Sequence, residues 1–371
     1  MNQDWQNFLA TQGAQIQNTR IQNTQIQDGD VSHFGAGAGA AVAERLATRD
    51  GTVLCDLSQF GTLRVSGVEA QTFLQNLLSN DIREVGSTRA QLSSLNTAKG
   101  RMLATLLIWQ DGDGYLLQLP RVMCEAMRKK LSMYVLRAKV KITDAGDEII
   151  SLGLSVANIR AGADTQEILR KQFGEPPQLP LGFVSTAHGS IIKIGDTRWQ
   201  INATPQQAQM LWTELSGKAR PVGSGGWDWL NIRSGIPVIL PQTQEQFVAQ
   251  MVNFDLIGGV NFNKGCYPGQ EIVARTHYLG KLKRRMFLGH IDTLAHLDGS
   301  DVPQAGDELF SADMEGQASG MLANAAPSPS GGYDVLAVVQ TSSRETQTVH
   351  WKSLQGAALQ FLPLPYSLPQ N

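Results

Sequence analysis

Cysteine is scarce: the 371 residues include only three, Cys55, Cys124 and Cys266, widely separated and odd in number. With no CxxC among them, a disulfide framework and a four-thiolate zinc site are both excluded, and a reducing compartment is expected. Aromatic residues are 7% of the chain, and neither charge sign dominates: 31 Lys and Arg face 33 Asp and Glu, a formal net charge of -2. A broad, nonspecific nucleic-acid surface is therefore not expected, although a local basic patch can still exist. Long hydrophobic runs are also missing. The strongest, near residues 102–109, is far short of the ~20 residues that cross a bilayer. The opening MNQDWQNFLATQG has no basic start followed by an apolar core, so no secretory leader is expected. These absences point to a cytoplasmic protein without membrane contact.

Hydrophobic residues are 42% and glycines number 37. At roughly 150 residues per domain the length allows two to three domains, with apolar mass for more than one core. Residues 1–35 carry the polar repeat IQNTRIQNTQIQ, with an Ile at every fifth position. That period buries poorly as helix or strand, and the segment is expected to be a disordered extension. The run GAGAGAAVA, Gly35 to Ala43, reads as a flexible entry to the first domain.

Residues 36–148 read as an α/β unit starting near Val53. Leu63 and Val65 alternate as in a strand, Ser66 and Glu69 have capping-box spacing, and Phe73, Leu74, Leu77 and Leu78 follow at helical spacing. Asp111-Gly112-Asp113-Gly114 separates two apolar runs, a hairpin signal. A helix over Arg121 to Met133 and a strand at Val140 and Ile142 complete a β-α-β-β-α-β order, the ferredoxin-like split arrangement. The order recurs over residues 149–285. There Thr204, Pro205 and Gln207 mark a helix start, with Met210, Leu211 and Leu215 expected inward. Residues 286–371 hold short β-like runs, such as Met286 to Ile291 and Val335 to Val339, with a Ser/Pro/Gly turn at 328–332. They read as a small antiparallel β-barrel. The fold class is α+β.

The chemistry concentrates in KGCYPGQE, Lys264 to Glu271. Pro268-Gly269 suits a type II turn, Pro fixing φ near -65° and Gly supplying the positive φ. Cys266 follows Lys264 by two residues and sits beside turn amides, a setting of positive charge and oriented N–H groups that favours a thiolate. Gln270 and Glu271 are placed to bond the turn backbone or a ligand. The alternative is that Cys266 merely fills a tight loop. Cys55 and Cys124, in apolar contexts, read as core. The cluster Lys281, Lys283, Arg284 and Arg285 is either a solvated strand edge or an anion-binding surface.

KGCYPGQE with the following IVARTHYLGKLKRR resembles the YgfZ family of folate-binding proteins, related to the glycine-cleavage T-protein, an aminomethyltransferase. WDWLNIRSGIP (227–237), QFVAQMVNFDLIGG (246–259), TAKGR (97–101) and LPLPYSL (362–368) fit the same family, so the resemblance spans about residues 45–371. It implies a three-domain ring around a central channel that holds tetrahydrofolate, in agreement with two α/β units and a barrel. The transferases carry paired aspartates where this chain has Ala104 and Thr105, so no glycine-cleavage activity is expected. The family's pterin-receiving carboxylate is replaced by Arg233. A guanidinium has only donors and cannot receive the N–H groups of a pterin edge. Arg233 then either holds the carboxylates of a glutamate tail or pairs with a neighbouring acid.

Trp227 and Phe60 are the candidate stacking rings. Asn96 and Lys99 are assigned to a loop facing the channel, and Lys264, Tyr267, Gln270, Glu271 and Arg275 to the folate site around the working thiol of Cys266. The implied function is a tetrahydrofolate-binding accessory protein for iron–sulfur cluster assembly or repair, and through it for tRNA thiomethylation. Its partners would be folate and, transiently, iron–sulfur proteins or assembly factors. No resident metal is expected. The alternatives are a one-carbon transferase with Cys266 as nucleophile, and a weak tRNA contact through the basic cluster.

Overall fold

The computed structural model describes residues 2–21, 24–36, 39–157, 162–278, 280, 282–292 and 302–369. They form a mixed α+β fold of several sheets. The chain divides into two units: Met1–Ala70 with Glu84–Ala90 and Leu107–Trp227, and Gln71–Arg83 with Gln91–Leu106 and Asp228–Asn371. These interleave along the sequence. Among the described residues, no helix is long and apolar enough to cross a membrane.

In the first unit, one sheet runs in the order Phe183–Thr186, Gly189–Gly195, Arg198–Ala203, Ile150–Ser155, Val53–Asp56, Arg220–Val222. Strand alternation explains its two faces. Trp199, Ile201 and Ala203 join Leu152, Leu154, Leu211, Trp212 and Leu215 in an apolar core. On the opposite face, Ser190, Asn202 and Ser151 stand in one register row. They are buried but bonded: Ser151 Oγ donates to Asn202 Oδ1 at 2.8 Å, and Gln118 Nε2 donates to Ser151 Oγ at 3.2 Å. Val53–Asp56, expected to open the first α/β unit, instead pairs with Ile150–Ser155 and Arg220–Val222. All four of its residues are buried, as a central strand covered on both faces requires.

The helix Pro205–Ser216 has the expected capping box between Thr204 and Gln207. Met210 points outward instead, 68% exposed, while Ala208 and Trp212 turn in beside Leu211 and Leu215. The expected Ser66–Glu69 box does not form as drawn: Glu69 accepts a bond from the Lys139 amide at 2.6 Å. Elsewhere in this unit, 107–111, Gly114–Pro120, Phe60–Ser66 and Lys141–Asp144 pair antiparallel in that order, with the predicted hairpin closing at Asp111 and Gly114.

The N-terminal segment departs from expectation. Gln3–Thr11 is a helix capped by Asn2, and Ala14–Ile21 pairs antiparallel with Thr24–Phe34. The helix Ala40–Asp50 begins inside the GAGAGAAVA run; positions 37–38 of that run lie outside the described residues. Disorder was inferred from the repeat alone, but the anchors lie on either side of it. Trp5 and Leu9 are fully buried, and Trp5 meets Trp212 edge-on with centroids 5.8 Å apart. Its indole Nε1 donates to Asp56 Oδ1 at 2.9 Å. Burial pushes the Asp56 carboxyl up, against the lowering effect of bonds from Trp5 and Ser58. Trp5→Ala is expected to cost about 3–5 kcal/mol in urea unfolding, and Trp5→Phe, which keeps a ring and leaves Asp56 its Ser58 bonds, about 1–2 kcal/mol.

In the second unit, an antiparallel sheet runs His350–Trp351, Glu308–Phe310, Ala318–Pro327, Tyr333–Gln340, Arg284–Ile291, Leu359–Leu362. A bridge between His350 and Ala358 and a bond from the Leu359 amide to the Val349 carbonyl (2.8 Å) draw its edges together. The sheet thus curls into a half-barrel over Phe287, Leu309, Leu322, Val335 and Val349. The predicted turn at 328–332 is present, with Gly331 and Gly332 at positive φ.

Candidate functional site

Two glycine loops of the second unit lie backbone against backbone. Gly269 has φ +80°, and a Cβ there would come within 2.4 Å of the Thr97 carbonyl oxygen and 2.5 Å of Gly100 Cα. Gly100 has φ +71° and faces the Gly269 carbonyl and Ile272. Only glycine allows both the conformation and the approach. The Pro268-Gly269 turn closes through the Gln270 amide on the Tyr267 carbonyl (3.1 Å), and the helix Gln270–Tyr278 starts there. The Thr97–Gly100 turn closes through the Gly100 amide on the Thr97 carbonyl (2.9 Å). TAKGR and KGCYPGQE, far apart in sequence, therefore form one structure.

Lys264 ties this structure down. Its Nζ donates to the carbonyls of Gln75 (2.6 Å), Leu78 (2.5 Å) and Asn80 (3.1 Å), using all three ammonium protons. The side chain is buried, and burial brings its pKa down to about 8, with nearby Asp81 opposing that shift. Lys264 gives its three ammonium protons to backbone carbonyls rather than to the thiol. Tyr267 is buried beside it, with Lys264 Nζ 5.1 Å from the ring centroid, and burial pushes the phenol up to about 12. Gln270 Nε2 bonds the Lys264 carbonyl at 3.3 Å, the turn-backbone alternative rather than a free ligand contact.

Cys266, between these anchors, is exposed, while Cys55 and Cys124 are buried. Burial pushes the Cys124 thiol up to about 12. Glu271 and Arg275 are exposed on the helix, and Lys99 is exposed on the facing loop.

Polar atoms near these loops are left without partners among the described residues. Asn96, immediately before Thr97, is 2% exposed; its Oδ1 accepts from Ser94 Oγ at 3.0 Å, and its Nδ2 bonds to nothing. Gln250, 1% exposed, donates to the Val273 carbonyl at 2.6 Å and leaves Oε1 unpaired. Asp255 Oδ1 is likewise unpaired, and burial raises that carboxyl against the opposing charges of Arg285 and His277. Buried amides without partners are rare in folded proteins. Gln250 and Asp255 were not singled out from sequence; their stretch, QFVAQMVNFDLIGG, was.

The GCVT N-terminal domain family matches residues 32–239. A relative from Shigella boydii serotype 4 (strain Sb227), named tRNA-modifying protein YgfZ, is 30% identical over 85% of this chain and 94% of its own. The protein of the same name from Escherichia coli (strain K12 / DH10B) is 29% identical over the same shares. The chain belongs to the YgfZ family. In fold it is similar to the glycine cleavage system aminomethyltransferase T of Bartonella henselae, with a TM-score of 0.73 at 18% identity, covering 98% of this chain and 97% of that one.

For a YgfZ chain, the positions expected to receive a pterin are occupied in a specific way. Arg233 Nη1 lies 3.8 Å from Asp334 Oδ2, with its side chain 39% exposed: it pairs with an acid. Asp334 also accepts from Trp229 Nε1 at 2.8 Å and bonds His290 Nδ1 at 2.7 Å. Trp227 and Phe60 belong to the first unit. Trp227 is 2% exposed, its ring against Gly153 and 4.9 Å from the Arg198 guanidinium carbon. That packing, rather than a ligand, uses the indole, so Trp227 is a core residue. Phe60 is half-buried at the start of a strand. Ala104 is fully buried, and Thr105 Oγ1 accepts a structural bond from the Ile239 amide at 3.1 Å. Of the basic cluster, Lys281 lies outside the described residues, and Arg284 and Arg285 bond to Ala318 and Asn253.

Proposed function

We propose that this chain binds tetrahydrofolate and acts as an accessory protein in iron–sulfur cluster assembly or repair, and through it in tRNA thiomethylation. The naming of its relatives as tRNA-modifying supports the RNA end of this reading. The likeness to an aminomethyltransferase fold supports folate. It also supports two ferredoxin-like portions and a barrel closed as a three-domain ring around a channel. The carrying observation is the buried, unpaired Nδ2 of Asn96, next to the loop that meets the Cys266 turn. It is a donor suited to a pterin oxo group, and Gln250 Oε1 is an acceptor suited to a pterin amino group.

Tetrahydrofolate, when bound, carries one-carbon units. Asn96 would orient it, and Lys264 would hold the Cys266 turn in register with it. One thiol cannot hold a four-thiolate cluster, so iron–sulfur contact would be shared with a partner.

Calorimetric titration with tetrahydrofolate tests this. Asn96→Leu should bind at least about tenfold more weakly, because the Nδ2 donor to ligand is lost, and should lower the melting temperature only modestly through loss of the bond from Ser94. Equal affinity would refute the assignment. Cys266→Ala should leave stability within about 0.5 kcal/mol, since the side chain is exposed, yet abolish support of a thiomethylating cluster enzyme in cells. Full support would reduce Cys266 to loop filler. A one-carbon adduct on Cys266 in mass spectra would favour a one-carbon transferase instead.

A further inference from the structure

The far end of the helix that starts at Gln270 carries an aromatic column that the folate reading leaves unused. Phe262 and His277 stack with centroids 3.8 Å apart and planes 18° from parallel. Tyr278 stands edge-on to His277 at 4.8 Å and to Phe262 at 6.3 Å. His277 is exposed and Tyr278 is 64% exposed. Aromatic residues are few in this chain, and most are buried; a three-ring group at the surface is unusual here. Arg275 and Lys283 are exposed nearby in sequence, the helix's one acidic residue, Glu271, lies at the opposite end, and Asp255, an acid that senses His277, is countered by Arg285.

A flat ring continuing an aromatic stack, beside side chains that take phosphate, describes how proteins hold an unpaired nucleobase. We propose that the Phe262–His277–Tyr278 column, with Arg275 and Lys283, is a docking platform for a base of a single-stranded RNA loop. The proposal rests on the tRNA-modification reading and gives that reading a direct contact. The nine-residue helix rises about 12 Å, so the platform and the exposed Cys266 turn sit at opposite ends of one short element. A loop seated on the platform would bring its neighbouring nucleotides toward the thiol.

The test is fluorescence anisotropy with a labelled RNA stem-loop and a fully paired duplex of equal length, together with tetrahydrofolate calorimetry on the same samples. Wild-type protein should prefer the stem-loop. The double variant His277→Ala/Tyr278→Ala should bind it about ten- to hundredfold more weakly, the loss typical of removing an aromatic partner from a stacked base. Arg275→Glu should lower the salt dependence of binding. Folate binding and melting temperature should hold in the double variant. Equal binding of stem-loop and duplex, or an undiminished affinity in the double variant, overturns the platform. If wild-type protein takes up folate but no RNA, the platform fails and the folate reading stands. If it takes up RNA and no folate, the reverse holds.

Discussion

Lys264→Met should lower stability by about 3 kcal/mol at neutral pH and release the Cys266 turn. The substitution leaves the carbonyls of Gln75, Leu78 and Asn80 without the donor that serves all three. A stranded buried acceptor costs about 1–3 kcal/mol, and the sum is reduced because an ammonium no longer has to be buried. Urea unfolding reads the stability change. Hydrogen exchange reads the local one, with amides of 264–271 expected to exchange faster than those of the half-barrel. The pH dependence has a definite sign. Lys264 titrates at about 8 in the folded chain and near 10.5 when unfolded. Between those values the unfolded chain binds more protons, so this residue makes stability rise with pH across that window. Below pH 8 both states are protonated and its contribution is flat. Lys264→Met should remove the rise.

Gly269→Val should be more damaging. Its φ of +80° is costly for a branched side chain, and the first added atom meets backbone at 2.4–2.5 Å. Backbone cannot rotate aside as a side-chain tip can, so the two glycine loops must separate. The expected loss is about 4 kcal/mol or more, with tetrahydrofolate binding abolished. Gly265→Ala, in the same turn, is the control: its added Cβ meets nothing within 4 Å, and no positive φ is imposed there. It should change stability by under about 0.5 kcal/mol. Matching behaviour of the two variants would mean that the loops do not depend on each other.

Local chemistry was legible in advance at most places where its partners are close in sequence, the Ser66–Glu69 box being the exception. The Thr204 cap, the 111–114 hairpin and the Pro268-Gly269 turn each depend on residues a few positions apart. Family likeness singled out TAKGR and KGCYPGQE separately; that they meet is shown by the structure, and Gly269 supplies the physical reason. What escaped is long-range. Lys264 finds carbonyls 184 to 189 positions away, and nothing in KGC shows which way its ammonium turns. Trp5 reaches Asp56 across a polar repeat that resembles disorder when read alone. Val53–Asp56 fits either sheet by composition and is assigned by its two strand partners. Met210 was misplaced by helical phase: it adjoins Leu211 but points to solvent.

Alkylation of the native protein by iodoacetamide, mapped by mass spectrometry with and without saturating tetrahydrofolate, tests the exposed thiol and the proposed folate site beside it together. Cys266 should label rapidly while Cys55 and Cys124 stay unmodified, and folate should slow Cys266 severalfold. Labelling of Cys266 at the same rate with folate bound, or no faster than at the two buried cysteines, would contradict a folate site beside that turn.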